Sequence, residues 1–182
     1  APQLRDAGTA NVAVVDVAGN AAVITTTINT GFGAGLMVPG TGVILNDEMD
    51  DFAVAPGVAN TYGLVGGAAN AVAPGKRPQS SMSPTIVTRG GDVAAVAGGS
   101  GGPLIITGTL QTLLNALVFG EDALAAVSAP RLHHQWMPPV LLVESGIDSG
   151  TRRALGRIGH RVVDLPAAAS VQLVLRAPDG TL

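Results

Sequence analysis

The 182-residue sequence has no cysteine, a single tyrosine and a single tryptophan, and only 13% of its residues are charged. Without thiols there is no disulfide framework, no thiolate metal site and no thiolate nucleophile, so any nucleophile must be a hydroxyl or an amine. The formal net charge is −3 and the pI about 5.4. That balance supplies no basic field, and phosphate-backbone affinity rests on clustered Lys and Arg, so nucleic acid is excluded as an expected partner. Charge is also missing locally, because residues 17–46, 52–75 and 93–120 carry none. Uncharged stretches of this length are buried or face a partner. None reads as a membrane span, since Gly, Pro, Thr and Asn interrupt each before about 20 consecutive apolar residues accumulate.

What is present suits one domain with a sizeable core. Residues 11–16 and 21–29 are β-branched and apolar around the turn residues Val17-Ala18-Gly19-Asn20, which predicts a β-hairpin. Period-two alternation in its second strand places Thr25, Thr27 and Asn29 on one face and Ile24, Thr26 and Ile28 on the other. The Gly-rich stretches 30–42 and 56–78 read as loops over a site or a partner. Residues 84–88 and 93–97 predict a second hairpin, and the run Gly98 to Gly102 leads into a helix over 103–119. Pro103 suits its first turn, Gly120 suits its end, and apolar residues over most of its circumference predict burial. Helices over 122–127 and 148–158 and strands near 161–164 and 171–176 complete a layered α/β pattern. Heavy use of Ala, Gly and Arg suggests a GC-rich bacterial source.

The string Gly8-Thr9-Ala10-Asn11-Val12-Ala13-Val14-Val15-Asp16, followed by Gly19-Asn20, Thr27-Ile28-Asn29 and Phe32-Gly33, resembles the start of the small subunit of gamma-glutamyltransferases. Further blocks match in order: Leu45-Asn46 with Met49-Asp50-Asp51-Phe52, Pro56-Gly57 with Asn60 and Tyr62-Gly63-Leu64, Lys76-Arg77-Pro78 with Ser80 to Thr85, Gly101-Gly102, and Pro130-Arg131 with His133-His134-Gln135. The resemblance implies the four-layer αββα sandwich of N-terminal nucleophile hydrolases, completed by a large subunit of the same precursor. It implies self-cleavage at Gly8-Thr9, with residues 1–8 left over from the upstream part of the precursor and 9–182 forming the catalytic small-subunit domain. The amino terminus, which lacks Met and any targeting signal, reads as internal to a longer precursor, and the end at Leu182 reads as cut short. Neither a metal nor an organic cofactor is implied, and a periplasmic or secreted location is.

On this resemblance Thr9 is the nucleophile and its own amine the base, whereas in isolation a threonine there is a turn or strand residue. Thr27 supplies a second hydroxyl that supports Thr9, and Asn29 contacts the amino-acid end of the substrate. Residues 46–51 form the only dense acidic cluster, ordinarily a solvated turn or cap, and the resemblance makes Glu48 and Asp51 receive the α-ammonium of a glutamyl group. Ser80 and Ser81, otherwise loop hydroxyls, bind the α-carboxylate. Gly101 and Gly102 form an oxyanion hole through backbone N–H groups at a helix start, and Tyr62 belongs to a lid. The adjacent His133 and His134 diverge on either a helix or a strand and read as structural. Ala10 and Asn11 replace a threonine and a histidine common in the family.

The activity implied is γ-glutamyl hydrolysis or transfer from glutathione and related amides, with water, an amino acid or a peptide as acceptor. Two rivals stand beside it: a β-lactam or other amide acylase on the same fold, and an unprocessed relative acting as a binding or structural protein.

Overall fold

A computed structural model describes residues 8–167, 169–177 and 179–181. Of the upstream segment expected at 1–8 only Gly8 lies among them, and Leu182 lies outside them. The first hairpin forms as β1 (Thr9–Val15) and β2 (Ala21–Thr27), antiparallel from Thr9 opposite Thr27 to Val15 opposite Ala21. Asp16 closes the turn by accepting hydrogen bonds from the backbone N–H groups of Ala18 and Asn20 and from the Asn20 amide. Strand alternation does not carry Asn29, contrary to the period-two expectation. β2 ends at Thr27, and Asn29 adopts a left-handed conformation with φ of 73°.

The second hairpin is β3 (Thr85–Arg89) and β4 (Asp92–Ser100), and β8 (Ser170–Leu175) pairs antiparallel with the free edge of β4. Burial continues along Ala95, Val96, Ala97, Gly98 and Gly99 without alternation, the pattern of a strand covered on both faces. One cover is the first hairpin: a Cβ on Gly98 would lie 2.2 Å from Asn11 Oδ1, so the Asn11 side chain occupies the space over that glycine. The other is the helix α1 (Leu104–Leu117), where a Cβ on Gly108 would lie 3.0 Å from Ala169 Cβ. Small residues at both contacts let the layers approach closely. Leu104 and Ile105 anchor the core with Leu165 and Ala169.

The expectation that this helix is buried all round is corrected. Leu104, Ile105, Gly108, Thr109, Thr112 and Ala116 are buried, but Ile106 and Leu110 on the opposite side are 48% and 53% exposed. Among the described residues only one side of the helix meets a layer. The outer face of the first hairpin is likewise apolar and uncovered, with Val12, Val14 and Ile24 between 55% and 63% exposed.

Two shorter helices follow, α2 (Ala123–Ser128) capped by Asp122 and α3 (Ser149–Arg157) capped by Asp148. The sequence reading missed β5 (Leu132–His133) and β6 (Leu141–Glu144), which join β7 (Val162–Leu165) in a third sheet ordered β5-β6-β7. β6 and β7 are parallel and α3 connects them, so the third sheet contains a βαβ unit.

Candidate active site

Thr9 and Thr27 face each other in the first hairpin, so their side chains share one face and meet across the ladder. Thr9 Oγ1 donates to Thr27 Oγ1 at 2.9 Å, and Thr27 Oγ1 also accepts the Asn29 backbone N–H at 2.8 Å. Thr27 Oγ1 thus meets both the Thr9 hydroxyl and the Asn29 N–H, which fixes its place beside the Thr9 oxygen. Gly8 sits tightly against the turn that follows β2, where a Cβ would lie 2.7 Å from the Thr30 carbonyl oxygen. Only glycine fits the Gly8–Thr9 junction in this position.

Asp47 staples that turn. Its carboxylate accepts from the Thr30 backbone N–H and hydroxyl at 3.1 and 2.7 Å, and its carbonyl accepts from the Asn29 amide at 3.3 Å. These bonds hold Asn29, 5% exposed, in its left-handed conformation. No motif marked Asp47; the signal that was available is its place at the head of the acidic cluster.

Glu48 and Asp51 lie three residues apart in a single 3-10 turn, Glu48–Asp51, where positions i and i+3 eclipse. Burial is the main cause that pushes the Glu48 pKa up to about 7, with the neighbouring Asp51 and Asp47 charges adding to it. Burial raises Asp51 as well, partly offset by its hydrogen bond with Glu48. Glu48 Oε1 is buried with no hydrogen-bond partner among the described residues. A cation placed beside such crowded, desolvated carboxylates would favour their ionised form. Asp50 points elsewhere and accepts the Thr61 backbone N–H at 3.0 Å, which ties the acidic turn to the loop bearing Tyr62.

That loop is shaped by Asn60, whose side-chain oxygen accepts the backbone N–H groups of Tyr62 and Leu64, both at 3.0 Å. Tyr62 is buried, and its hydroxyl donates to the Asn29 carbonyl at 3.0 Å. Ser80 Oγ accepts the Met82 N–H at 3.1 Å, an ordinary local turn that also orients its hydroxyl. Gly101 and Gly102 have φ of 141° and 56°. A Cβ on Gly101 would lie 2.8 Å from Ala169 Cα, and one on Gly102 would lie 3.0 Å from Tyr62 Cε1. Both positions thus need glycine for conformation and for space.

Nine of the ten residues singled out from the sequence line one open cleft of about 300 Å³: Thr9, Thr27, Asn29, Glu48, Asp51, Tyr62, Ser80, Ser81 and Gly102. Gly101 lies just behind it. Met82, Pro103 and Ile105 add an apolar wall that the sequence reading did not name. His133 is buried while His134 is exposed, as expected of neighbours that diverge. The cleft combines a hydrogen-bonded hydroxyl pair, two crowded acids, serine hydroxyls and a glycine turn at a helix start, a set suited to acyl transfer.

The profile of the family described as Gamma-glutamyltranspeptidase matches residues 1–182. The glutathione hydrolase proenzyme of Escherichia coli (strain K12) is 48% identical over 174 residues, covering 96% of this chain and 30% of that protein. The chain thus spans about a third of the length of that relative. The crystal structure of an acivicin-inhibited gamma-glutamyltranspeptidase has a TM-score of 0.89 at 43% identity and covers 92% of this chain and 90% of its own. The T380A mutant of the Helicobacter pylori gamma-glutamyltranspeptidase has a TM-score of 0.89 at 42% identity, with 94% of each chain covered. The fold shared with these structures is that of N-terminal nucleophile hydrolases.

Proposed function

The chain belongs to the gamma-glutamyltranspeptidase family, and from that premise we propose that it is the catalytic part of a γ-glutamyl hydrolase and transferase acting on glutathione and related γ-glutamyl amides. The observation that carries this reading is the Thr9 to Thr27 hydroxyl pair, 2.9 Å apart, in the same cleft as Glu48 and Asp51. Cleavage of the Gly8–Thr9 bond turns an amide nitrogen, which has no available lone pair, into an α-amine with a pKa of roughly 7.7–8.0, suited to general-base work. That amine takes the proton of Thr9 Oγ1 as the oxygen attacks the γ-carbonyl. Backbone N–H groups at Gly101 and Gly102 stabilise the resulting oxyanion, and the amine returns the proton to the leaving nitrogen. Water or an acceptor amine then releases the γ-glutamyl group from Thr9.

Glu48 and Asp51 hold the α-ammonium, Ser80 and Ser81 hold the α-carboxylate, Asn29 contacts the amino-acid end, and Tyr62 covers the bound glutamyl group. A recognition set for an α-amino acid favours this reading over a β-lactam acylase. The uncovered apolar faces of the first hairpin and of α1 support a large subunit as the partner that completes the sandwich. A periplasmic or secreted location accompanies the proposal.

The test is intact mass and amino-terminal sequencing of the protein produced with the rest of its precursor, together with γ-glutamyl release. Wild type should yield a fragment beginning at Thr9 and turn over, whereas Thr9→Ala should remain uncut and inactive. Turnover by Thr9→Ala, or by protein still joined at Gly8–Thr9, overturns the mechanism.

A further inference from the structure

Tyr62 is held from outside the cleft as well as inside it. Its hydroxyl donates to the Asn29 carbonyl at 3.0 Å, and its ring leaves no room for a side chain on Gly102. Its backbone carbonyl accepts a hydrogen bond from Gln135 Nε2 at 3.0 Å, across 73 residues of sequence. The same nitrogen donates to the Met137 carbonyl at 3.0 Å. Two carbonyl partners require the NH₂ end of the amide, so the Gln135 oxygen must be the atom that meets His133 Nε2, at 2.9 Å. That oxygen only accepts, so His133 carries its proton on Nε2, and Nδ1 accepts from Thr107 Oγ1 at 2.7 Å. Burial holds His133 neutral, with its pKa below the ordinary histidine value. Thr107 lies on the first turn of α1, immediately after Gly101, Gly102 and Pro103.

We propose that Gln135, oriented by His133 and Thr107, is a positioning residue for the wall of the acyl pocket, fixing the distance between the Tyr62 ring and the glycine turn that begins α1. The chain of bonds ties the Tyr62 loop to the same helix that presents Gly102, so the wall and the oxyanion-binding turn keep one spacing. Loosening it lets the ring withdraw from Gly102 and Asn29 and opens the acyl pocket to water. The effect falls on substrate affinity, because Gln135 touches neither Thr9 nor the reacting carbonyl. This inference rests on the γ-glutamyl reading above.

Gln135→Glu tests it in the full-length protein. The variant keeps an acceptor for His133 and loses both donors, setting a carboxylate against two carbonyls. KM for γ-glutamyl-p-nitroanilide should rise about tenfold, the scale of one lost hydrogen bond, while kcat changes less than about threefold and the Gly8–Thr9 bond is still cut. In a Tyr62→Ala background the same substitution should raise KM no further, since coupled residues are not additive. Amide exchange across residues 60–64 should quicken. Gln135→Met, which removes both donors without adding charge, should repeat these effects if Gln135→Glu fails to fold. Unchanged KM and exchange, or KM effects that multiply in the double variant, would overturn the proposal. An inactive wild type sinks the γ-glutamyl reading instead, and the exchange rates then decide the brace alone.

Discussion

At the scale of single residues, the site depends on pairs whose members have different duties. Thr27 holds the Thr9 hydroxyl by a hydrogen bond, so Thr27→Ser should keep most of the turnover and Thr27→Val, of equal shape without the hydroxyl, should lose roughly tenfold or more, read as kcat. Glu48 provides a pH test with a definite sign. Its pKa is raised from 4.5 to about 7, so the folded protein binds a proton that the unfolded chain has released, and stability without substrate falls as pH rises through that interval. Substrate affinity runs the other way, because an ammonium needs the ionised carboxylate. KM should therefore rise as pH drops below about 7 while the melting temperature of the free protein rises. Glu48→Gln should flatten both profiles, and a KM independent of pH between 5 and 8 would remove Glu48 from the ammonium site. Asp51→Ala and the Ser80→Ala/Ser81→Ala pair should raise KM for glutamyl substrates yet leave the Gly8–Thr9 cleavage intact, since the scissile bond presents no α-ammonium or α-carboxylate.

At the scale of elements, the junction between β4 and α1 places two glycines with separate consequences. Gly101 backs onto the Ala169 backbone, which cannot easily yield, whereas Gly102 backs onto the edge of the Tyr62 ring. Gly101→Ala should lower the melting temperature sharply, while Gly102→Ala, with a left-handed cost of about 1–2 kcal/mol, should mainly raise KM for γ-glutamyl substrates by displacing Tyr62. Gly120→Ala serves as the comparison, because it also has a positive φ but meets nothing within 4 Å. His133, buried between α1 and the Gln135 segment, adds a second pH signature. With its folded pKa lowered by burial, its contribution is fully present above about 6.5 and lost as pH falls below it. His133→Ala should cost about 1–3 kcal/mol of stability at neutral pH, measured by denaturant melts.

At the scale of the whole molecule, the described residues leave apolar faces uncovered. Val12, Val14 and Ile24 form one such face on the first hairpin, outside the sheet pair whose inner side bears Thr9 and Thr27. Ile24→Asp should leave the hairpin paired, because that side chain touches no layer of this chain, but should block assembly with the rest of the precursor, seen as loss of the joint species in gel filtration. Normal assembly by that variant would take the hairpin face out of the interface.

Much was legible in the sequence where local rules determined it: both hairpins from β-branched runs around Gly-Asn and Gly-Gly-Asp turns and α1 from Pro103 and Gly120, while spaced blocks resembling one family named nine residues that line one cleft. The two-residue β5 and the short β6 were not, since strands of that length hold only by pairing with neighbours distant in sequence. Composition alone predicted that the uncharged stretches would be buried or face a partner, but not which side of α1 would be which. The Asp47 staple on the left-handed turn at Asn29, the close approach of Tyr62 to Gly102 and the reach of Gln135 to the Tyr62 carbonyl were decided by tertiary structure. Each is a contact between segments whose separation along the chain leaves no periodicity to read, and whose geometry exists only once the layers have packed.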